Sequence, residues 1–421
     1  MLFRIGEIDM NDYYTSIELG TDSIKILVCN KVDNDFHVIA KVSSPSEGIV
    51  RGRIADKKSA INSCKKAVKK INEMLELKIT KAIVAIPTDE ARMDIVVGST
   101  DIIDTNEITG EDISNVLKDS IVSQINEDEE LVTAMPISFK IDNKDNIKDP
   151  KGMSGEELGV KVLITTSPKD IVYDILEVLK LSGIEVVDIT YKPTADYFEI
   201  RKNNIDDSVS AIISIGEDST NISVFNKGIM IKNKIINVGS KNIDNDLSYI
   251  YKIDKKVSRD LKENFSLATD SYADSNEICE VINSEGVKLE LNQLELSKVV
   301  SCRCKEILKI AKNELKNLTK REISYIIITG GVSELAGFQY LVEDILGYDA
   351  RICNVKTMGI RHNKYSTVLG TIKYFDNKLS LRDKSVKMIK NDDINRLIDV
   401  KDNKDNNGNI INKVFGRFFE N

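Results

Sequence analysis

Histidine is almost absent from this 421-residue chain, occurring only as His37 and His362. The six cysteines, Cys29, Cys64, Cys279, Cys302, Cys304 and Cys353, form no C-x-x-C pair. These scarcities argue against a zinc site, which draws on closely spaced thiolate and imidazole ligands. Cys302 and Cys304 invite a redox reading, but the compartment rule favours reduced thiols on a cytosolic helix. No apolar run is long enough to span a membrane, and the first ten residues, with Glu7 and Asp9, do not read as a signal peptide. No basic domain stands out and the net charge is −8, so nucleic acid is not an expected partner.

Against these absences stand 41% apolar and 30% charged residues, a soluble composition with enough chain for two or three domains. Residues 206–228, DDSVSAIISIGEDSTNISVFNKG, are the stretch around which the rest is organised. SAIISI is a short apolar run, TNISVF alternates polar and apolar, and GEDSTN between them has turn chemistry. In such a hairpin Gly216 is expected at positive φ, and successive N–H groups with the Ser219 and Thr220 hydroxyls form a nest for anions. By itself the hairpin is more often plain structure. A second copy changes the reading: residues 16–28, SIELGTDSIKILV, repeat strand, Gly20, polar turn and strand. Two such hairpins, each opening one half of a chain, suggest two related α/β domains closing on one phosphate chain.

In order, residues 1–11 read as a loose leader. The first hairpin is followed by a strand near residues 36–42, the loop GIVRGRIAD at 48–56, and an amphipathic helix carrying Ile61, Ala67, Val68, Ile71, Met74 and Leu75. KAIVAIP at 81–87 is a buried strand, which completes an α/β pattern whose ligand site lies beside strand ends. Residues 88–167 are more acidic and less regular, with a helix expected over 109–124 that Thr109 and Asp112 cap. They read as a small α+β module inserted for interactions. An amphipathic helix from Pro168 and the strand GIEVVDIT restore the first domain.

The second half repeats the theme, with a strand and Gly239 after the central hairpin, a helix near 243–251, the helix carrying SRDLKENF, and a long helix over 293–317. YIIITGGVSEL at 325–335 joins strand to helix through Gly330 and Gly331, whose missing Cβ atoms suit a flat base or ribose and equally an ordinary tight turn. Residues 365–375 form a closing helix with small Gly370 at a packing position. Residues 377–409 have no Pro and no apolar period and are expected to be disordered. In 410–420, IINKVFGRFFE, the residues Ile410, Ile411, Val414, Phe415, Phe418 and Phe419 fall on one half of a helical wheel, with Lys413 and Arg417 opposite. The pattern fits an interfacial helix near anionic lipid, and a helix docked on the protein's own surface is the plainer alternative.

Together these features resemble the FtsA family of bacterial cell-division proteins, in the actin/Hsp70 superfamily. The likeness runs over nearly the whole chain: both hairpins, GIVRGRIAD, DPKGMSGEELGVKVLIT at 149–165, DLKENF, IIITGGVSELAGF, YSTVLG and the tethered terminal helix. It implies an α/β, two-lobed actin-like ATPase fold with an inserted small α+β (SHS2-type) subdomain and a C-terminal amphipathic helix. The first lobe would be 12–87 plus 168–205, with a closing helix 363–376 packed back on it, and the insert 88–167. The second lobe would be 206–362, with 249–323 its smaller subdomain, followed by a linker 377–409 and a membrane helix 410–421.

The resemblance further implies ATP with Mg²⁺, self-assembly into actin-like filaments, and tethering of the tubulin-like FtsZ ring to the cytoplasmic face of the plasma membrane at the septum. Later division proteins would be recruited through the insert. The FtsZ C-terminal peptide would meet Arg303 and Glu306. From the first lobe Gly20, Thr21, Asp22, Ser23 and Lys25 would face the phosphates, and from the second Gly216, Asp218, Ser219 and Thr220. Gly239 would flank the cleft, and Lys262, Gly330, Gly331 and Val332 would surround the adenosine.

Two positions depart from the family pattern. Glu18 stands where Asp is usual and Ser214 where Asp is common, although hydrolysing relatives use two such carboxylates to hold hydrated Mg²⁺ and orient water. Glu18 can still reach a metal-bound water, whereas Ser214 carries no charge, so very slow hydrolysis or none is expected. The alternatives are a pilus-assembly actin-like protein (PilM-like), which would lack the terminal helix, and a small-molecule kinase of the same superfold. An Hsp70-like chaperone would need a peptide-binding domain for which little chain remains.

Overall fold

The computed structural model describes residues 13–32, 35–102, 107–121, 124–382, 384–386 and 388–389. The expected leader, most of the expected linker and the whole terminal helix, Ile410, Ile411, Lys413, Val414, Phe415, Arg417, Phe418 and Phe419 included, lie outside the described residues. The chain divides into two units. The first takes the described residues up to Tyr191, Lys356–Ile360 and the chain from Thr371, and the second takes Lys192–Val355 and Arg361–Gly370.

The first unit opens with β1 (Tyr13–Leu19), β2 (Ser23–Val32) and β3 (Asp35–Pro45), then α1 (Lys57–Leu75) and β4 (Lys81–Ile86). Asp56 caps α1 by accepting from the Lys58 amide at 3.1 Å, and Ala60, Cys64, Ala67 and Ile71 bury its inner stripe at helical spacing. Next come β5 (Arg92–Asp101), α2 (Gly110–Ile121), β6 (Glu129–Ile141), β7 (Lys144–Ile147) and β8 (Glu157–Pro168), and then α3 (Lys169–Leu181) and β9 (Glu185–Tyr191). The main sheet has order β9-β4-β1-β2-β3. β1, β2 and β3 form an antiparallel meander, while β4 and β9 run parallel beyond β1.

The insert is a separate antiparallel sheet, β5-β8-β6-β7, covered by α2. Ile113, Val116, Leu117 and Ile121 of α2 pack on Phe139, Ile141, Val160 and Val162. The reciprocal cap expected at the start of α2 is present: the Thr109 amide donates to Asp112 Oδ2 at 2.9 Å, and the Asp112 amide to Thr109 Oγ1 at 3.3 Å. The helix is described over Gly110–Ile121, residues 122–123 lie outside the described residues, and Gln124, the expected end, is in a turn.

The second unit holds α4 (Lys192–Ile200), β10 (Val209–Ile215), β11 (Thr220–Asn226), β12 (Ile229–Ile236), α5 (Ser240–Tyr251) and α6 (Lys255–Asn264). It continues with β13 (Ile278–Ile282), β14 (Lys288–Asn292), α7 (Gln293–Leu318), β15 (Tyr325–Thr329), α8 (Phe338–Leu346) and β16 (Ala350–Ile352). Its sheet has order β12-β11-β10-β15-β16, again an antiparallel meander of three followed by two parallel strands. The hairpins at Gly20 and Gly216 thus hold the same place in two sheets of one topology. α7 carries Leu296, Val300, Ile307, Leu308, Ala311 and Leu315 into this unit's core. Each fully buried large side chain contributes about 1.5–3 kcal/mol.

Two expected boundaries change. α4, read as part of the first lobe through residue 205, groups with the second unit. The closing helix, α9 (Ser366–Leu381), runs past residue 376 into the expected linker, and Leu381 packs on the insert's core. Beyond it Met388 and Ile389 are buried, and the Thr15 amide donates to Met388 Sδ at 3.3 Å. Polar composition misled here because Lys378 is held by Asp188, at 2.8 and 2.6 Å. Among the described residues no helix is long and apolar enough to cross a membrane.

Candidate functional site

In the first unit the Gly20 amide donates to Ser23 O at 3.1 Å and closes the turn, and a Cβ on Gly20 would lie 2.6 Å from that same oxygen. The second unit repeats the closure, with the Gly216 amide on Ser219 O at 3.0 Å and a Cβ meeting Ser219 O at 3.1 Å. Neither glycine has positive φ, which corrects the expectation for Gly216. At Gly20 glycine is required by the close backbone approach, while at Gly216 the approach is tight and a Cβ would need Ser219 to give way slightly; neither turn uses a left-handed conformation.

The GIVRGRIAD loop folds onto the first turn. The Arg51 amide donates to Thr21 Oγ1 at 2.9 Å, which leaves that hydroxyl's own hydrogen to donate. Asp22 is exposed at the tip and Ser23 is buried. Glu18 and Lys25 face each other across β1 and β2, with Lys25 Nζ 3.0 Å from Glu18 Oε2. The two residues named separately for metal and phosphate therefore already form an ion pair.

In the second unit the N-terminus of α5 sits on the hairpin turn. The Ser240 amide donates to Gly216 O at 2.8 Å and the Lys241 amide to Glu217 O at 2.9 Å. A Cβ on Gly239 would lie 2.6 Å from Gly216 O and 2.5 Å from Glu217 O, so only glycine lets the helix start this close. Thr220 is fully buried and its hydroxyl donates to Val238 O at 2.8 Å, a structural bond in place of the expected phosphate contact. Asp218 pairs with Lys241 at 3.0 Å.

Lys262, expected beside an adenosine, is 2% exposed and ties α6 to α5 through Asp244 at 2.7 Å and Ser240 Oγ at 2.6 Å. Arg259 joins Asp244 at 3.4 Å and also pairs with Glu217 of the turn. The signal for this cluster was the acidic and basic spacing on two consecutive helices, which composition alone does not resolve. Beneath it burial pushes the Cys304 thiol up to about 12, against the opposing pull of Lys262. Cys302, next but one along α7, is exposed, so the two thiols do not share an environment.

Gly330 and Gly331 play different parts. Gly330 has φ +94°, and a Cβ would meet Ile215 O at 2.2 Å, so its role is to pass close over β10. Gly331 has nothing within 4 Å of a Cβ and presents an open face. Val332 is 2% exposed and belongs to the core. Behind them lies a buried polar network that the sequence did not reveal. Thr329 Oγ1 is 2.8 Å from Ser366 Oγ, and Ser366 and Thr367 donate to Asp196 Oδ1 at 2.9 and 2.7 Å. The same helix contact brings Gly370 against Ala195, where a Cβ would lie 1.8 Å from the carbonyl oxygen.

Arg303 and Glu306 do come together on α7, but Arg303 also donates to both oxygens of Asp246 on α5, at 2.7 and 2.9 Å. Those bonds hold its guanidinium all the more firmly in the charged form. Asp246 is the partner that sequence reasoning missed.

The glycine turns, the Thr21 and Ser219 hydroxyls, the Lys25 ammonium and the open face at Gly331 are the donor set and clearance that a nucleotide needs. For a divalent ion the fit is poorer. Among the described residues no group of three or more His, Cys, Asp or Glu could hold a metal, Ser214 is uncharged, and Glu18 is engaged by Lys25.

A family model described as cell division protein FtsA matches residues 211–370, and one described as the SHS2 domain inserted in FtsA matches 89–166. Cell division protein FtsA of Bacillus subtilis is 28% identical over 367 residues, covering 86% of this chain and 83% of the relative. The PilM-PilN type IV pilus biogenesis complex contains a similar fold, with TM-score 0.56 and 14% identity over 85% of this chain and 97% of that one. MreB5 of Spiroplasma citri bound to ADP is also similar, with TM-score 0.55 and 15% identity over 88% of this chain and 98% of that one. With the duplicated actin-like sheets, the SHS2 insert and these matches in place, the chain belongs to the FtsA family of cell-division proteins.

Proposed function

We propose that this chain binds ATP at the Gly20 and Gly216 turns, self-associates into actin-like filaments, and tethers FtsZ to the cytoplasmic face of the plasma membrane at the septum. The observation that carries the nucleotide part is the repeated turn: the same amide-to-carbonyl closure at a glycine, at the same place in two sheets of one topology. The ADP-bound MreB5 neighbour supports it at the level of fold. Gly20, Thr21, Asp22, Ser23 and Lys25 serve the phosphates in the first unit, and Gly216, Asp218 and Ser219 in the second. Gly331 serves the adenosine, while Gly239, Lys262, Gly330, Val332 and Thr220 hold the turns and helices in place.

When bound, ATP would supply a polyanion with its accompanying Mg²⁺, and Glu18 is the residue that would meet a metal-bound water once released from Lys25. With Ser214 neutral and Glu18 paired, turnover is very slow or nil. The FtsZ C-terminal peptide meets the Arg303 and Glu306 region of α7. The terminal residues 410–421 bind lipid, weakly as one copy and well when several copies are linked in a filament. The insert recruits later division proteins. The PilM-like reading gains nothing specific, since that likeness is one of fold shared with MreB5.

The test is co-sedimentation of the full chain with anionic vesicles and FtsZ, with and without ATP, alongside a form lacking 410–421. FtsZ should pellet with vesicles only when the full chain is present. Equal pelleting with the truncated form would refute the tethering role.

A further inference from the structure

The Glu18 and Lys25 side chains are 10% and 13% exposed, and they are directly paired across β1 and β2 with Nζ 3.0 Å from Oε2. The second hairpin provides an internal comparison. It has the same strand pairing and turn closure, yet Ser214 faces Asn221 at the corresponding register. The hairpin therefore does not need a charged pair at this place. A largely withdrawn ion pair is also weak as a fold stabiliser, because desolvating the two charges cancels much of their attraction. What the pair does accomplish is to occupy the one lysine on this turn that a phosphate would use.

Resting on the nucleotide reading above, we propose that Glu18 is an internal competitor for the Lys25 ammonium and thereby sets the affinity of the Gly20 turn for phosphate anions. A phosphate reaching Lys25 displaces the carboxylate, leaving two anions side the same ammonium in a partly desolvated place. A divalent ion carried in on the nucleotide relieves that repulsion. Affinity should consequently depend on Mg²⁺ more steeply with Glu18 present than without it.

The experiment is calorimetric titration of the full chain with ATP, in EDTA and in excess Mg²⁺, comparing wild type, Glu18→Gln, Glu18→Ser, Lys25→Gln and the Glu18→Gln/Lys25→Gln double variant. Glu18→Ser copies the residue that the second hairpin already carries, and thermal melting of each protein verifies folding. In EDTA either Glu18 variant should bind about fivefold tighter than wild type, the factor corresponding to an ion pair whose attraction is largely cancelled by desolvation. Mg²⁺ should narrow that gap, and in the Lys25→Gln background the gain from Glu18→Gln should shrink, because the ammonium for which the carboxylate competes is gone. Tripolyphosphate as a second probe should reproduce the order if the effect lies in the phosphates. Equal or weaker binding by both folded Glu18 variants in EDTA would overturn the inference while leaving ATP binding intact. Absence of binding by every form, wild type included, would overturn the nucleotide reading itself.

Discussion

Adjacent glycines in the strand-to-helix junction after β15 should respond oppositely to a single methyl group. At Gly330 the backbone sits at φ +94°, and an alanine Cβ would fall 2.2 Å from Ile215 O and 2.8 Å from Ile215 C. Placing an L-residue at such a φ costs roughly 1–2 kcal/mol. The contact is with backbone of a central strand, which cannot swing aside, so repacking adds about 1–3 kcal/mol. Gly330→Ala should therefore lose about 2–4 kcal/mol, allowing for partial relaxation. For a unit of this size that lowers Tm by roughly 5–15 °C. At Gly331 the φ is ordinary and nothing lies within 4 Å, so Gly331→Ala should melt within about 0.5 kcal/mol of wild type. If the open face receives the adenosine, this second variant should still bind ATP more weakly. Differential scanning calorimetry followed by ATP titration reads both effects. Equal Tm values for the two variants would refute the assignment of Gly330 to packing over β10.

Other perturbations follow from the same geometry. Asp244→Asn leaves the Lys262 ammonium buried with one fewer partner and should cost about 3–5 kcal/mol, whereas Asp244→Asn with Lys262→Met should recover much of it; urea unfolding compares them. Iodoacetamide near neutral pH should label Cys302 and spare Cys64 and Cys304, whose thiols burial pushes up to about 12, so labelling of the latter two should rise only as pH rises toward that value; mass spectrometry after brief labelling decides. Thr109→Ala should remove about 1 kcal/mol from the start of α2 and speed amide exchange within the insert alone. Asp246→Asn should leave Arg303 with Glu306 as its remaining carboxylate partner and, on the proposed assignment, tighten binding of the FtsZ C-terminal peptide, measured by fluorescence anisotropy; unchanged or weaker binding would show that Asp246 does not compete there.

Much of this architecture was legible because hydrophobic alternation around a glycine turn is a local signal, repeated at Gly20 and Gly216, and the insert announced itself by its change of character. The reason each glycine is needed was not legible. Gly216 and Gly330 read alike in sequence, but only Gly330 takes positive φ, and only coordinates show which carbonyl each one approaches. Ion pairs were the second blind spot. Lys25, Lys262 and Arg303 read outward to ligands, yet each meets a carboxylate of its own chain, that of Lys25 on the neighbouring strand and those of Lys262 and Arg303 on α5. Asp196 escaped notice because an acid in KPTADYFEI looks solvated until Ser366 and Thr367, distant in sequence, are seen to donate to it. The end of α9 was missed because polar residues from 377 onward suggested a solvated tether, while Lys378, Leu381 and Met388 in fact anchor it.

Hydrogen exchange of the full chain, with and without saturating ATP, tests the nucleotide assignment most directly. Protection should rise at the amides of both turns, 20–23 and 216–219, and at Gly331, with the insert unaffected. Protection confined to other segments, or none at all at saturating ATP, would contradict it.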